Sequence, residues 1–339
     1  MSFPKINVVV PSYNQGQYLE ETLLSVINQG YANFELFVID GGSTDKSVEI
    51  IKEYQNNITW WTSEPDNGQS DAINKGFVKA TGEIITWLNS DDLLTPGSLF
   101  KVAEYFSKFP EDVGLIHGGT ILFEKNKELK TDWGYHPSLE RNLAGMAFPQ
   151  PSAFFLKKYL DKVGGKLNDQ FHYGMDYDLF SRLACVCRFV PVRNIFSKYR
   201  LHDNSKSVRD QDKFIGDWNR VFVNLCKHLD WNDVLGEIKS SGFFSEEALA
   251  FYYPLNFIPE KTFLKTADKE MIIFYHYCYM LKAFYWSNQR EKARELLKYI
   301  LKQYPDVWIK NEKDIQPIMS KLALPDSLLR LLKRIKNYL

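Results

Sequence analysis

The 339-residue chain has no apolar run of the roughly 20 residues needed to cross a bilayer, so any membrane contact is expected to be peripheral. It is poor in cysteine and histidine, with four and six. Cys185, Cys187, Cys226 and Cys278 follow neither a disulfide framework nor a zinc-ribbon spacing. Cys185 and Cys187 stand two apart on a predicted helix and do not face each other. Reduced thiols and a cytoplasmic protein are the expectation. The N-terminus enters a strand almost at once, without the pattern of a secretory leader. An excess of one charge is also missing. Lysine plus arginine and aspartate plus glutamate each total 42, and a net charge of zero points to no nucleic acid partner. There is no internal repeat and no low-complexity tract. The first strand-to-helix turn lacks G-x-G-x-x-G, which argues against NAD or FAD. That turn also holds no lysine or arginine, which argues against a nucleotidyltransferase phosphate loop.

The composition is 45% hydrophobic, 15% aromatic and 25% charged, with room for one large domain plus an appendage, or two domains. Ile6 to Val10, Glu35 to Ile39, Ile58 to Thr62 and Ile84 to Leu88 are short apolar, β-rich runs. Amphipathic segments separate them: Leu19, Leu23, Val26 and Ile27, then Val48, Ile50 and Ile51, then Ala72, Ile73 and Phe77. The alternation predicts a mainly parallel, doubly wound α/β sheet. Each run ends in polar residues and glycines, and such ends converge on one crevice. The fourth ends in Asn89-Ser90-Asp91-Asp92, two adjacent anions whose repulsion a cation would relieve. Hard oxygen ligands suit Mg²⁺ or Mn²⁺, which bridge a carboxylate and a diphosphate. The alternative is a solvated turn that caps the next helix. Tyr13 offers a ring for a base to stack on, and Asp40 an acceptor nearby.

Further on, Leu99 to Phe106 reads as a helix and Val113 to Phe123 as strands interrupted at His117-Gly118-Gly119. Lys125 to Lys130 reads as a polar turn. Phe148 to Phe155 is an extended stretch. His172-Tyr173-Gly174-Met175-Asp176-Tyr177-Asp178 opens a helix, where a carboxylate either caps the helix or serves as a general base. From about residue 211 the chain is helical by pattern. Ala283 to Ile300 looks faintly like one tetratricopeptide-type hairpin, for which an ordinary helical extension is the better reading. The segment from Leu324 to Lys336 is basic and amphipathic. It either lies on an anionic bilayer or packs on the protein with its cations solvated.

Val-Pro-Ser-Tyr-Asn (10–14), Ile-Asp-Gly-Gly-Ser-Thr-Asp (39–45), Ser-Asp-Ala-Ile-Asn-Lys-Gly (70–76) and Leu-Asn-Ser-Asp-Asp (88–92) together resemble the GT-A-fold, family-two inverting glycosyltransferases. The resemblance spans residues 5 to 210. It implies a GT-A domain over 1–210, followed by a helical extension over 211–339. It implies that Asp40 binds the nucleobase, that Tyr13 stacks on it beside Pro11 and Ser12, and that Asp71 borders the donor. It gives Asp91 to the ribose and Asp92 to Mn²⁺ or Mg²⁺, with His202 of Arg-x-His completing the shell. Gln150 to Ser152 become a floor for sugar or acceptor. Asp176 becomes the base, and Met175 stands where the family has Glu, beside the acceptor. The implied donor is a UDP- or dTDP-sugar. The implied acceptor is a glycan or lipid-linked sugar at the inner face of the membrane, with bacterial surface polysaccharide as the product class. The competing reading is a non-catalytic nucleotide-sugar-binding or scaffolding protein that acts through its helical tail.

Overall fold

The structure, a computed structural model, describes residues 3–125, 127–134, 138–203 and 205–324. Strands β1 (Ile6–Ser12), β2 (Phe34–Asp40), β3 (Trp60–Ser63) and β4 (Ile84–Trp87) pair in parallel in the order β3-β2-β1-β4. Helices Leu19–Ile27, Ser47–Glu53 and Gln69–Lys79 connect them. Successive strand residues point to opposite faces, and both faces are covered. Val8, Val10, Leu36 and Val38 therefore join one hydrophobic cluster, while Val9, Phe37, Ile39 and Trp87 join the other. Asn7 is the polar intruder, and its burial is offset by bonds to the Ile84 carbonyl (2.7 Å) and from the Gly82 amide (3.0 Å). The register aligns Ser12, Asp40 and Ser63, so the loops after β1, β2 and β3 leave the sheet side by side.

Past β4 the sheet becomes mixed. The later strands are β5 (Leu93–Leu94), β6 (Val113–Glu124), β7 (Lys127–Asp132), β8 (Ala153–Leu156) and β9 (Arg188–Arg200). β8 runs antiparallel between β4 and β6, and β9 lies parallel to β6. β5 pairs antiparallel with β9, and β7 folds back on β6, for nine strands in all among the described residues. Two expectations change here. Lys125 to Lys130 is more than a turn: Lys125 takes a left-handed φ of 54°, and the chain then returns as β7. The glycines at 118 and 119 do not end β6 but shift its register on β9. A side chain at Gly118 would collide with the Asn194 carbonyl oxygen.

The helices after residue 211 bury their apolar sides in the same cluster as Val9 and Trp87. Phe222, Phe274 and Tyr277 pack there. A buried ion pair between Arg141 and Glu312 ties this region to the short helix Leu139–Ala144. His276 Nδ1 donates to the Ala144 carbonyl (2.7 Å), and its Nε2 faces the Asn219 side-chain amide (3.0 Å). Burial pulls its pKa down to about 4, so it serves as a neutral packing group. Helices Lys269–Trp286 and Arg290–Gln303 follow each other through a turn at Asn288, whose φ is 62°. All four cysteines are buried and free. Among the described residues no helix is long and apolar enough to cross a membrane. The basic amphipathic segment beyond Leu324 lies outside the described residues.

Gly76 lets helix Gln69–Lys79 lie close on the sheet, since a Cβ there would collide with a Val9 methyl. Gly76→Ala is expected to destabilise the protein by about 1–3 kcal/mol. Gly236, inside helix Asn232–Ser241, borders open space, and a Cβ on it would meet nothing within 4 Å. Gly236→Ala is expected to stabilise by about 0.5–1 kcal/mol. Urea unfolding of the two variants reads both signs.

Candidate functional site

The loops after β1 and β2 brace each other. Asn14, at a left-handed φ of 52°, donates its amide to the Ser43 hydroxyl (2.7 Å) and accepts from the Thr44 amide (2.9 Å). The Gly16 amide reaches Asp45 (2.8 Å). This bracing presents Tyr13 on the rim, 62% exposed. Below it opens a cavity of about 650 Å³ lined by Pro11, Ser12, Gly41, Asp66, Asp91 and Lys206, among others. The Ser12 hydroxyl is buried and has no partner among the described residues.

A second cavity, about 300 Å³, adjoins the first, and Asp176, Gln150, Met175, Phe148 and Phe214 are among its walls. Gln69, Asn89, Tyr199 and Lys206 line both. Three of these side chains form a relay across the junction. The Lys206 ammonium donates to Gln69 (3.0 Å), and the Gln69 amide donates to Asn89 (2.7 Å). Sequence reasoning misses Gln69 and Asn89 as site residues. Their signal is their position beside the Ser-Asp-Ala and Asp-Asp motifs.

Asp40 departs from expectation. It is fully buried, and its carboxylate accepts from the Gly42 and Ser43 amides (3.1 and 2.9 Å) and the Ser43 and Ser63 hydroxyls (2.5 and 2.7 Å). These bonds brace the loop after β2 and tie it to β3, and Asp40 lines neither cavity. Asp71 lines neither cavity. It accepts from the Asn67 amide (3.1 Å) and lies 3.8 Å from the Lys75 ammonium.

The carboxylate pair is arranged the other way round from the expectation. Asp92 is 1% exposed, accepts the Arg200 backbone amide (3.0 Å), and lines neither cavity. Burial, then the neighbouring Asp91 charge, push its pKa well above the usual carboxylate range. Asp91 lines the larger cavity, and its Oδ2 sits 2.9 Å from His202 Nε2. Of this cluster only Asp91 faces the larger cavity; Asp92 and His202 line neither. Arg200 is locked in place: its Nε donates to the Asp91 carbonyl (2.9 Å) and its Nη2 to Glu21 (2.5 Å). Its guanidinium lies over the Tyr18 and Phe123 rings.

Asp176 occupies the first turn of helix Met175–Ala184. It accepts from the Tyr177 amide (2.8 Å). Burial raises its pKa to about 6, against the pull of that amide bond and of Lys206. Asp178, two residues on, is buried against Arg182 (2.7 Å) and faces away from the chemistry. Met175 accepts the Ser70 hydroxyl through sulfur (3.0 Å), and Gln150 donates to the Trp87 carbonyl (2.9 Å). Both are walls of the smaller cavity.

A parallel half-sheet, an acidic pair after its fourth strand and a mixed second half define a GT-A-type fold. Comparison with known proteins agrees. The family model described as Glycosyl transferase family 2 matches residues 7–164. An uncharacterized glycosyltransferase of Mycobacterium tuberculosis is 31% identical over 227 residues, 65% of this chain and 84% of that one. S. aureus TarS 1–349, solved with UDP-GlcNAc, matches with a TM-score of 0.53 at 14% identity, over 88% of this chain and 93% of that one. The mannosyltransferase PcManGT of Pyrobaculum calidifontis, solved with GDP-Man and Mn²⁺, gives 0.56 at 15% identity, over 100% and 85%. At such identities the structural likeness is one of fold. The chain belongs to glycosyltransferase family 2, and it is an enzyme that transfers glycosyl groups.

Arg200→Met keeps most of the side chain's volume but removes its bonds to the Asp91 carbonyl and to Glu21. The variant is expected to lose about 1.5–3 kcal/mol of stability, as hydrogen bonds to charged groups do. A urea unfolding curve with unchanged midpoint would refute the clamp.

Proposed function

We propose that this glycosyltransferase moves a sugar from a nucleoside diphosphate sugar, UDP- or dTDP-linked, to a hydroxyl of a glycan or lipid-linked acceptor. The transfer is one displacement with inversion. The observation that carries this reading is the shared wall of the two cavities, with Asp91 on one side and Asp176 on the other. The nucleotide sugars in the TarS and PcManGT complexes support the donor class.

In this reading the donor fills the larger cavity, its nucleoside against Pro11, Ser12 and Tyr13 and its diphosphate toward Asp91, Lys206 and Arg209. The acceptor enters the smaller cavity over Gln150, Met175 and Phe214. Its hydroxyl oxygen attacks the anomeric carbon, and its proton passes to Asp176. The bond from that carbon to the diphosphate oxygen breaks, and the diphosphate leaves with the electron pair. Lys206, at the junction, balances the charge that builds on it. Asp91 and His202 offer one carboxylate oxygen and one imidazole nitrogen to a divalent cation. Among the described residues no third acidic, histidine or cysteine ligand joins them. That donor set fits Mn²⁺ or Mg²⁺ sharing its shell with diphosphate and water. A cation held there would offset negative charge on the leaving group. The helices from Gln211 to Leu322 act as an extension that supports the acceptor side. A contact of the basic C-terminal segment with an anionic membrane belongs to the same proposal, and it suits a lipid-linked acceptor.

Asp176→Asn is expected to lower transfer by about 10²–10⁴-fold while nucleotide affinity stays unchanged. Undiminished turnover would remove Asp176 from the base role. The working form is the carboxylate, so activity falls as pH drops through the pKa of about 6. At pH 5 kcat/KM is expected to be about tenfold below its plateau. Asp91→Ala is expected to abolish the Mn²⁺-dependent part of UDP binding in calorimetry, and unchanged metal dependence would refute that role. Tight nucleotide binding with neither transfer nor donor hydrolysis would favour the scaffolding alternative.

A further inference from the structure

The smaller cavity is walled largely by apolar side chains, among them Leu122, Met146, Phe148, Met175 and Phe214. Among the described residues two carboxylates reach it. One is Asp176. The other is Asp132, at the end of β7. The register of β6 on β7 explains why Asp132 points there. It sets Asp132 opposite Thr120, opposed residues of a ladder share a face, and Thr120 lines the same cavity. The carboxylate is also held in place. Its Oδ1 accepts the Gly134 amide (2.9 Å). Gly134 has a left-handed φ of 69°, and a Cβ on it would stand 2.6 Å from the Ala147 carbonyl oxygen and 2.8 Å from the Phe148 Cα. The end of β7 therefore packs closely on the segment that carries Met146, Phe148 and Gln150.

We infer that Asp132 selects the acceptor: its free Oδ2 takes a hydrogen bond from a hydroxyl of an uncharged sugar residue, and the cavity turns away sugars that carry a carboxylate or a phosphate. This deepens the acceptor reading above and rests on it. Three observations support it. First, Oδ2 has no hydrogen-bond partner among the described residues. Second, several polar groups on the same walls are already engaged. The Thr120 hydroxyl bonds those of Ser152 (2.7 Å) and Ser197 (2.8 Å). Gln150 donates to the Trp87 carbonyl (2.9 Å), and Gln69 donates to Asn89 (2.7 Å). Third, Oδ2 lacks a donor rather than a counter-charge. The Lys282 ammonium lies 3.6 Å from Asp314 and already faces the Asp132 charge. Burial lowers the Lys282 pKa, and the Asp314, Glu312 and Asp132 carboxylates pull the other way.

A hydroxyl satisfies the free oxygen without bringing a charge into an apolar cavity. An anionic substituent has no hydrogen to give it, and meets Asp176 as well. Lys206, the one Lys or Arg on these walls among the described residues, donates to Gln69 (3.0 Å) and stands at the donor junction. A volume of about 300 Å³ is at the low end for ligand pockets and suits a single sugar ring, its C–H face toward the aromatic walls.

The test is an NMR titration of the wild-type protein, Asp132→Asn and Asp132→Ala, with UDP and Mn²⁺ present. The probes are the methyl glycosides of glucose, galactose, mannose, N-acetylglucosamine, glucosamine and glucuronic acid. Wild type is expected to bind an uncharged glycoside best and the glucuronide worst. Both variants are expected to bind the best uncharged glycoside about tenfold or more weakly, the loss of one charge-assisted bond, with UDP affinity unchanged. Their affinity for the glucuronide is expected to rise, a gain that a merely loosened fold does not produce. Removing the hydroxyls of the best glycoside one at a time is expected to cost wild type a similar factor at one position and to cost Asp132→Ala almost nothing there. Equal glycoside affinity in wild type and the variants would overturn the assignment while leaving the acceptor reading intact. A wild-type preference for the glucuronide or the glucosaminide would overturn it too, as would a parallel loss of UDP affinity in the variants. Binding of no glycoside to wild type would overturn the acceptor reading of this cavity, and this assignment with it.

Discussion

The site depends on one buried carboxyl that lines neither cavity. Asp92 accepts the Arg200 amide across 108 positions of sequence, joining the turn after β4 to the end of β9. Those strands belong to the two halves of the sheet, which are also linked by β5 pairing with β9 and through β8 and β6. Thr22 reinforces the turn by donating to the Ser90 and Asp92 carbonyls (2.9 and 2.8 Å). A buried polar group in so many bonds has one arrangement available to it. Asp91 is thereby turned outward, and His202, two residues past Arg200, is set opposite it. The acidic pair works because its members differ: one is buried to hold the turn, the other faces the cavity.

The second half of the site is held by the helical extension. Asp217, on helix Gln211–His228, accepts the Tyr173 amide (2.7 Å) just before the helix that carries Asp176. A Cβ on Gly174 would lie 3.2 Å from the Asp217 Cβ, so the two segments lie close there. Phe214, one turn earlier on that helix, reaches the smaller cavity itself. The extension shares its hydrophobic cluster with the β1 face of the sheet. The loop before Asp176 is therefore pinned between the sheet and the extension, and the orientation of Asp176 depends on both. Its environment also sets its chemistry, because burial raises the carboxyl toward neutral pH while Lys206 keeps it ionisable.

Much of this is legible in residue order. Four apolar runs with intervening 3.6-period segments are enough to specify a parallel half-sheet and a crevice at its strand ends. The polar loops at those ends are legible too, because burial of both sheet faces leaves the ends as the place for such residues. The departures at Asp40 and Asp92 share one cause. Sequence tells which carboxylates stand at a strand's mouth, but not how many of their oxygens the loop itself consumes. For Asp40 that number depends on Gly42, Ser43 and Ser63, and Ser63 lies on another strand. For Asp92 it depends on an amide over a hundred residues away. β8 is similarly hidden. A four-residue strand that inserts between β4 and β6 carries no local mark of its partners.

The two cavities place opposite electrostatic demands on one narrow wall. In the proposed reaction the donor side would hold a diphosphate, for which cations are suited. The acceptor side would hold a base whose carboxylate those same cations would stabilise and weaken. Lys206 is the point of conflict, since it lines both. Burial lowers its own pKa, and it is partly committed to the Gln69 carbonyl. Burial outweighs the pull of Lys206 at Asp176, and that carboxyl is raised to about 6. Gln69 and Asn89 continue the relay to the carboxylate turn. In the proposed reaction a diphosphate bound at Lys206 would alter the field at Asp176, and the departure of the leaving group would be coupled to the acidity of the base through one ammonium.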